Sequence, residues 1–224
     1  VTSPHPTPSE PISVLVVDDD KWTTKAINMA LQKDPAIRIV IAASDGAEGV
    51  EAYRSSSPDI VLMDLNMSPG MNGVTAIEKI RQFDAEARII VLTTVSPGPG
   101  LARALEAGAL AVARKTASEA DLRKIVLAAA QGDDPRLLKR LAQDTVISGD
   151  LLPDTPVVVP HLTPAERDIL ILITDGHGYE EIAKRQGITV WTVRSHVKKL
   201  REKLYAENLA QLVVRALQYR YISP

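Results

Sequence analysis

The chain has 224 residues, a formal charge of -2 and no cysteine. Without cysteine there can be neither a disulfide framework nor a thiolate metal site, and no apolar run approaches the roughly 18 residues that a membrane span requires. A cytoplasmic protein with no membrane association, large enough for one big domain or two modest ones, is the expectation. The charge is unevenly spread: residues 1–160 carry 16 Lys and Arg against 21 Asp and Glu, a balance of -5, while 161–224 carry 10 against 7, a balance of +3. An acidic unit is joined to one that tolerates a polyanion.

Prolines at 4, 6, 8 and 11 make residues 1–11 a disordered lead-in. From Ile12, apolar runs alternate with segments of helical period. Strands are predicted at 12–17, 38–43, 60–63, 89–93 and 110–113, and helices at 21–33, 47–55, 74–83, 101–107 and 119–131. Five βα units in series predict an α/β fold with a doubly wound, five-stranded parallel sheet over 12–131. Residues 132–160, rich in Asp, Pro and Gly, read as a linker, with apolar spacing at 137–141 that suits a short helix. Thr163-Pro164-Ala165-Glu166 is a capping box with proline at the first helical position. It starts a helix to Thr174. Helices at 179–185, from a cap at Thr189 to about 204, and at 207–219 complete a small all-α unit over 161–224, in which helix, glycine turn and longer helix outline a helix-turn-helix.

The run 60–63 is continuously apolar, as a strand buried on both faces would be, and ends at Asp64. The run 12–17 ends at Asp18, Asp19 and Asp20. If the first and third strands are neighbours, these acids meet at the carboxyl edge of the sheet, where open α/β sheets hold their ligands. Crowded carboxylates raise one another's pKa unless a cation lies between them, and Mg2+ is the hard divalent ion suited to such oxygens. Asp20 is equally well explained as a helix cap. Thr93 and Lys115 fall at two other strand ends on the same edge. A carboxylate nucleophile, a metal, a hydroxyl and an ammonium are what phosphoryl transfer onto an aspartate requires.

Val-Val-Asp-Asp, Leu-Met-Asp-Leu-Asn-Met, Val-Leu-Thr-Thr and the lysine of Ala-Arg-Lys-Thr, in this order, resemble the flavodoxin-like receiver domain of bacterial response regulators over about 12–131. The resemblance implies that Asp64 accepts a phosphoryl group from a histidine kinase. It also implies that Asp18, Asp19, Asp64 and the backbone carbonyl of Asn66 hold Mg2+, and that Thr93 and Lys115 contact the phosphoryl oxygens and take part in switching. Three positions depart from the pattern. Ser68 is interposed before Pro69, lengthening the loop; Val112 stands where Tyr or Phe is usual; and Ser96 to Gly100 alternates Pro and Gly where the fourth helix should begin, which should shorten or loosen that helix. They motivate a second reading, in which the receiver is not phosphorylated and serves as a protein or ligand docking module that controls DNA binding. A phosphohydrolase would want a second acid two residues after Asp64, where Asn66 stands, so no enzyme is expected.

Leu-Thr-Pro-Ala-Glu-Arg, Glu-Ile-Ala-Lys and Thr-Val-Arg-Ser-His-Val resemble the LuxR-type helix-turn-helix, and the two units together a NarL/FixJ-type response regulator. Val193, Val197, Leu200 and Leu204 lie at helical spacing and should be core. Thr192, Arg194, Ser195, Lys198, Lys199 and Arg201 are the expected DNA-contacting residues, with Arg194 and Lys198 suited to guanine edges and Lys199, Arg201 and Lys203 to phosphates. Trp191 has three places open to it, beneath the helix, on a sugar edge or against the receiver, and the first is preferred. Leu209, Leu212, Val213 and Ala216 form an apolar stripe that the family uses for dimerisation. The partners so implied are a histidine kinase, promoter DNA and a second copy of the chain.

Overall fold

The computed structural model describes residues 11–93, 100–131 and 159–222. The lead-in before Pro11, most of the Pro-Gly loop and nearly all of the linker, including the short helix expected at 137–141, lie outside the described residues.

Strands β1 (Ile12–Val17), β2 (Ile37–Ala43), β3 (Ile60–Asp64), β4 (Ile89–Thr93) and β5 (Ala111–Arg114) form one parallel sheet in the order β2-β1-β3-β4-β5. They alternate with α1 (Lys21–Leu31), α2 (Gly46–Ser56), α3 (Gly73–Phe83), α4 (Leu101–Glu106) and α5 (Glu119–Ala130). The continuous apolar runs are explained by cover on both faces: every residue of β3 and β4 is buried. On one face Ile27, Leu31, Leu122 and Val126 of α1 and α5 pack on Val14, Leu62 and Leu92. On the other, Ile77, Ile80, Leu101 and Leu105 of α3 and α4 join Leu15, Met63 and Val91.

Short polar side chains start the helices, each satisfying an amide that has no partner inside its helix. Asp20 accepts from Trp22 N ahead of α1, Asn72 from Thr75 N ahead of α3, and Ser118 from Asp121 N ahead of α5. α4 differs. It begins after Gly100, whose φ of +113° suits glycine, has no side-chain cap and runs for only 6 residues, as the Pro-Gly sequence before it foretold.

The C-terminal unit holds α6 (Pro164–Thr174), α7 (Tyr179–Gln186), α8 (Val190–Lys203) and α9 (Leu209–Gln218). The capping box is formed in both directions, Thr163 Oγ1 accepting from Glu166 N while Glu166 Oε2 accepts from Thr163 N. Gly187, with φ of +66°, ends α7, and Thr189 caps α8 two residues later. The apolar residues of this unit and those around α4 belong to one continuous cluster. Among the described residues no helix is long and apolar enough to cross a membrane.

Candidate phosphoacceptor site and nucleic-acid interface

Register places the acids together. β1 pairs with β3 so that Val17 lies opposite Met63, and the next residue on each strand is Asp18 and Asp64. Asp64 in turn faces Leu92, one residue before Thr93, and Thr93 lies opposite Arg114, one before Lys115. Lys115 N donates to Thr93 O at 2.6 Å, tying the ends of β4 and β5. Residues scattered from 18 to 115 thus share one edge of the sheet.

Carboxylate oxygens of Asp18, Asp19 and Asp64 lie within 4.8 Å of one another. Asp18 and Asp64 are buried, at 2% and 5% exposure, and Asp19 is at the mouth. Lys115 Nζ bridges the two buried acids, 2.8 Å from Asp18 Oδ2 and 2.9 Å from Asp64 Oδ2. Burial pushes the Asp18 carboxyl up, and the hydrogen bond from Lys115 opposes this without cancelling it. The same burial favours a neutral Lys115, but its bonds to Asp18 and Asp64 prevail and leave its pKa raised. Three carboxylates face one ammonium, so negative charge is left over, and hard oxygen donors at this spacing fit a divalent cation such as Mg2+. Asp20 stands apart as the cap of α1.

Two local features hold the pocket that sequence reasoning did not reach. Ser68 N donates to Asp19 Oδ2 at 3.1 Å, so the interposed residue grips one of the acids. Gly73 N donates to Leu65 O at 3.1 Å, and a Cβ on Gly73 would lie 2.0 Å from Asp64 O. Only glycine lets the start of α3 close against the strand end that carries Asp64. Val112 is buried in the cluster that also contains Leu105.

In the C-terminal unit Val193, Val197, Leu200 and Leu204 are buried, as expected from their spacing. Arg194, Lys198 and Lys199 are exposed along α8, while Thr192 and Ser195 are half-buried. The Arg194 guanidinium lies over the Tyr179 ring, 5.0 Å from its centroid, an arrangement that restrains the arginine. Arg201 is half-buried and lines a cleft between the units with Arg81, Arg88 and Glu207. One reading is corrected. Trp191 does not pack beneath its helix, because it is 77% exposed. Lys203 Nζ donates to Glu166 Oε2 at 2.7 Å, neutralising the buried acid of the capping box. Leu209, Leu212, Val213 and Ala216 are all buried within this one chain, at 0–1% exposure.

The chain matches the response regulator receiver domain family over residues 14–127 and the LuxR family of bacterial regulatory proteins over 160–216. It is 33% identical to the nitrate/nitrite response regulator protein NarL of Escherichia coli K12 across 94% of this chain and 97% of that one. It is 34% identical to the transcriptional regulatory protein LiaR of Bacillus subtilis 168, covering 92% and 96%. Among solved structures it resembles a LuxR-family two-component response regulator from Aurantimonas, at 31% identity and a TM-score of 0.53 over 61% of this chain and 99% of that one. It also resembles the signal receiver domain of the NarL regulator of Mycobacterium tuberculosis, at 28% and 0.52 over 55% and 98%. With a receiver in front and a LuxR-type helix-turn-helix behind, the chain belongs to the NarL-type response regulators of two-component systems.

Proposed function

We propose that Asp64 is the phosphoacceptor, that a histidine kinase supplies the phosphoryl group, and that the modified receiver controls binding of α8 to promoter DNA as a homodimer in the cytoplasm. The observation that carries this reading is the convergence of Asp18, Asp19, Asp64 and Lys115 at one sheet edge. In the transfer an oxygen of Asp64 forms the bond to phosphorus while the phosphorus–nitrogen bond of the donor histidine breaks. The electron pair returns to the imidazole, which takes a proton from water. Lys115, already 2.9 Å from Asp64, is placed to pair with the arriving phosphoryl oxygens, and the Thr93 hydroxyl stands at the neighbouring strand end. Asp18, Asp19, Asp64 and the Asn66 carbonyl would hold Mg2+, whose charge would stabilise those oxygens in the transition state.

On the DNA side this reading assigns Arg194 and Lys198 to base edges and Lys199 and Arg201 to phosphates, flanked by the hydroxyls of Thr192 and Ser195. The test is exposure to acetyl phosphate, or to beryllofluoride, with Mg2+. Wild type should be modified by the first and change its self-association with the second, while Asp64→Asn should do neither. Equal responses from both proteins would refute the assignment.

A further inference from the structure

Trp191 is the second residue of α8 and stands 77% exposed, although folded proteins cover most of this side chain on average. Its place on the helix distinguishes it from a stray surface apolar group. At about 100° per residue, Val193, Val197 and Leu200 mark the buried stripe of α8, and Trp191 lies roughly 150° from the middle of that stripe. Lys198 falls about 20° from Trp191, Ser195 about 40° and Arg194 about 60°, so the indole sits within the basic stripe. The acid on that side, Glu202, is about three turns away, 4.0 Å from Lys198 Nζ. The first turn is held in place: Thr189 Oγ1 accepts from Thr192 N at 3.1 Å, so the indole is carried on capped backbone and not on a fraying end. The receiver packs elsewhere, with Gln211 Nε2 of α9 donating to Leu105 O and Glu106 O at the end of α4, both at 3.1 Å, and it leaves Trp191, Arg194 and Lys198 uncovered.

We propose that Trp191 is a specificity-determining residue, its indole seated against the 5-methyl group of a thymine in the major groove, about one or two base pairs from the guanine that Arg194 reads. The inference rests on the assignment of α8 to promoter DNA and adds to it a base that the polar residues of α8 do not select. Charge chooses the occupant. Arg194, Lys198 and Lys199 surround the ring and attract a polyanion, whereas a second copy docked here about a two-fold axis would bring the same cations against themselves. Chemistry then chooses the base. An indole has one N–H donor and no acceptor, so it cannot make the paired hydrogen bonds that identify guanine or adenine. Its recognition is by apolar contact, and among the groups that the four bases present in the major groove only the thymine methyl is apolar. Depth agrees as well, because the N-terminal residues of a recognition helix are those that reach base edges.

The test is titration of the full chain, at low salt, on a duplex that it has selected from random sequence, with each thymine in turn replaced by deoxyuridine, which lacks only the 5-methyl group. Wild type should bind about fourfold more weakly when one particular thymine of a half-site is replaced, the loss that exposing one methyl group brings. Trp191→Ala, at an exposed position that leaves the fold intact, should bind the thymine duplex about tenfold more weakly and be indifferent to deoxyuridine at that place. Trp191→Phe, which keeps an apolar ring, should keep the sensitivity. The proposal is overturned if wild type ignores every replacement, or if Trp191→Ala binds as wild type or still loses fourfold at the same thymine. Equal weakening of Trp191→Ala on unrelated DNA, the sign of a sugar contact, overturns it too, as does weaker self-association of that variant without DNA, the sign that a second copy covers the ring. Arg194→Ala tells the two readings apart. If it loses the selected duplex and Trp191→Ala does not, this inference alone falls; if both bind as wild type, the assignment of α8 to DNA falls with it.

Discussion

Lys115 and Asp64, 51 positions apart in the chain, are joined by a hydrogen bond of 2.9 Å at the edge of the sheet. The same ammonium lies 2.8 Å from the buried Asp18, so one cation holds two acids that would otherwise repel.

Replacing that cation should therefore cost stability as well as chemistry. Lys115→Met leaves two buried carboxylates without their partner, and we expect a loss of about 3 kcal/mol at neutral pH without divalent ions. Mg2+ should recover part of it by binding the vacated acids in the folded state. Urea unfolding with and without Mg2+ reads both effects. A variant as stable as wild type in the absence of the metal would show that Lys115 does not hold the pocket together.

Gly73→Ala should be among the most damaging single changes in the receiver. The added carbon would lie 2.0 Å from Asp64 O and 2.8 Å from Leu65 Cα, both backbone atoms that cannot swing aside. The start of α3 must retreat from the β3 end. We expect a loss of about 3 kcal/mol or more, together with loss of acetyl phosphate labelling at Asp64, checked by urea unfolding and mass spectrometry.

On DNA, Arg194 and Lys199 should separate by what they lose. Arg194→Ala should cost about 1–3 kcal/mol on a selected operator and little on unrelated DNA. Lys199→Ala should weaken both alike and lower the salt slope by about 1. Tyr179→Leu should resemble a weaker Arg194→Ala, because the ring restrains the guanidinium. Titrations at several salt concentrations, on both kinds of DNA, distinguish these outcomes.

The capping box predicts a pH dependence. Burial alone would raise the Glu166 carboxyl, but the bonds from Lys203 and Thr163 outweigh it and its pKa lies below the ordinary 4.5. A carboxyl depressed on folding adds stability above its unfolded pKa and loses it as the pH falls through the folded one. Glu166→Gln should thus be destabilised at pH 7, by about 1 kcal/mol once the solvent around Lys203 is allowed for. The difference from wild type should close as the pH drops below about 4.5, as urea unfolding across that range would reveal. A gap that persists at the acid end would mean the carboxylate charge is not its source.

The sheet was legible because its signal is local: uninterrupted apolar runs such as Ile60 to Met63 can be strands only where both faces are covered, and acids at their ends must then share an edge. Helix starts at Asp20, Thr163 and Thr189 were equally plain, since a cap needs a side chain only two or three residues away. What escaped the sequence depends on distant pairing. Nothing near Lys203 announces Glu166, and nothing near Gln211 announces the end of α4, more than a hundred residues earlier. Ser68 was visible as an intruder, yet its bond to Asp19 depends on how the loop folds back. Trp191 misled because large apolar side chains are usually covered, and here one stands in water beside the basic face of α8.

That uncovered face has a kinetic consequence. If Arg194, Lys198 and Lys199 carry the contact with DNA, a chain that holds them outward needs no rearrangement of α8 before it adheres weakly to a duplex. Sliding along the duplex would then shorten the search for a promoter, and that gain would shrink as the salt concentration rises.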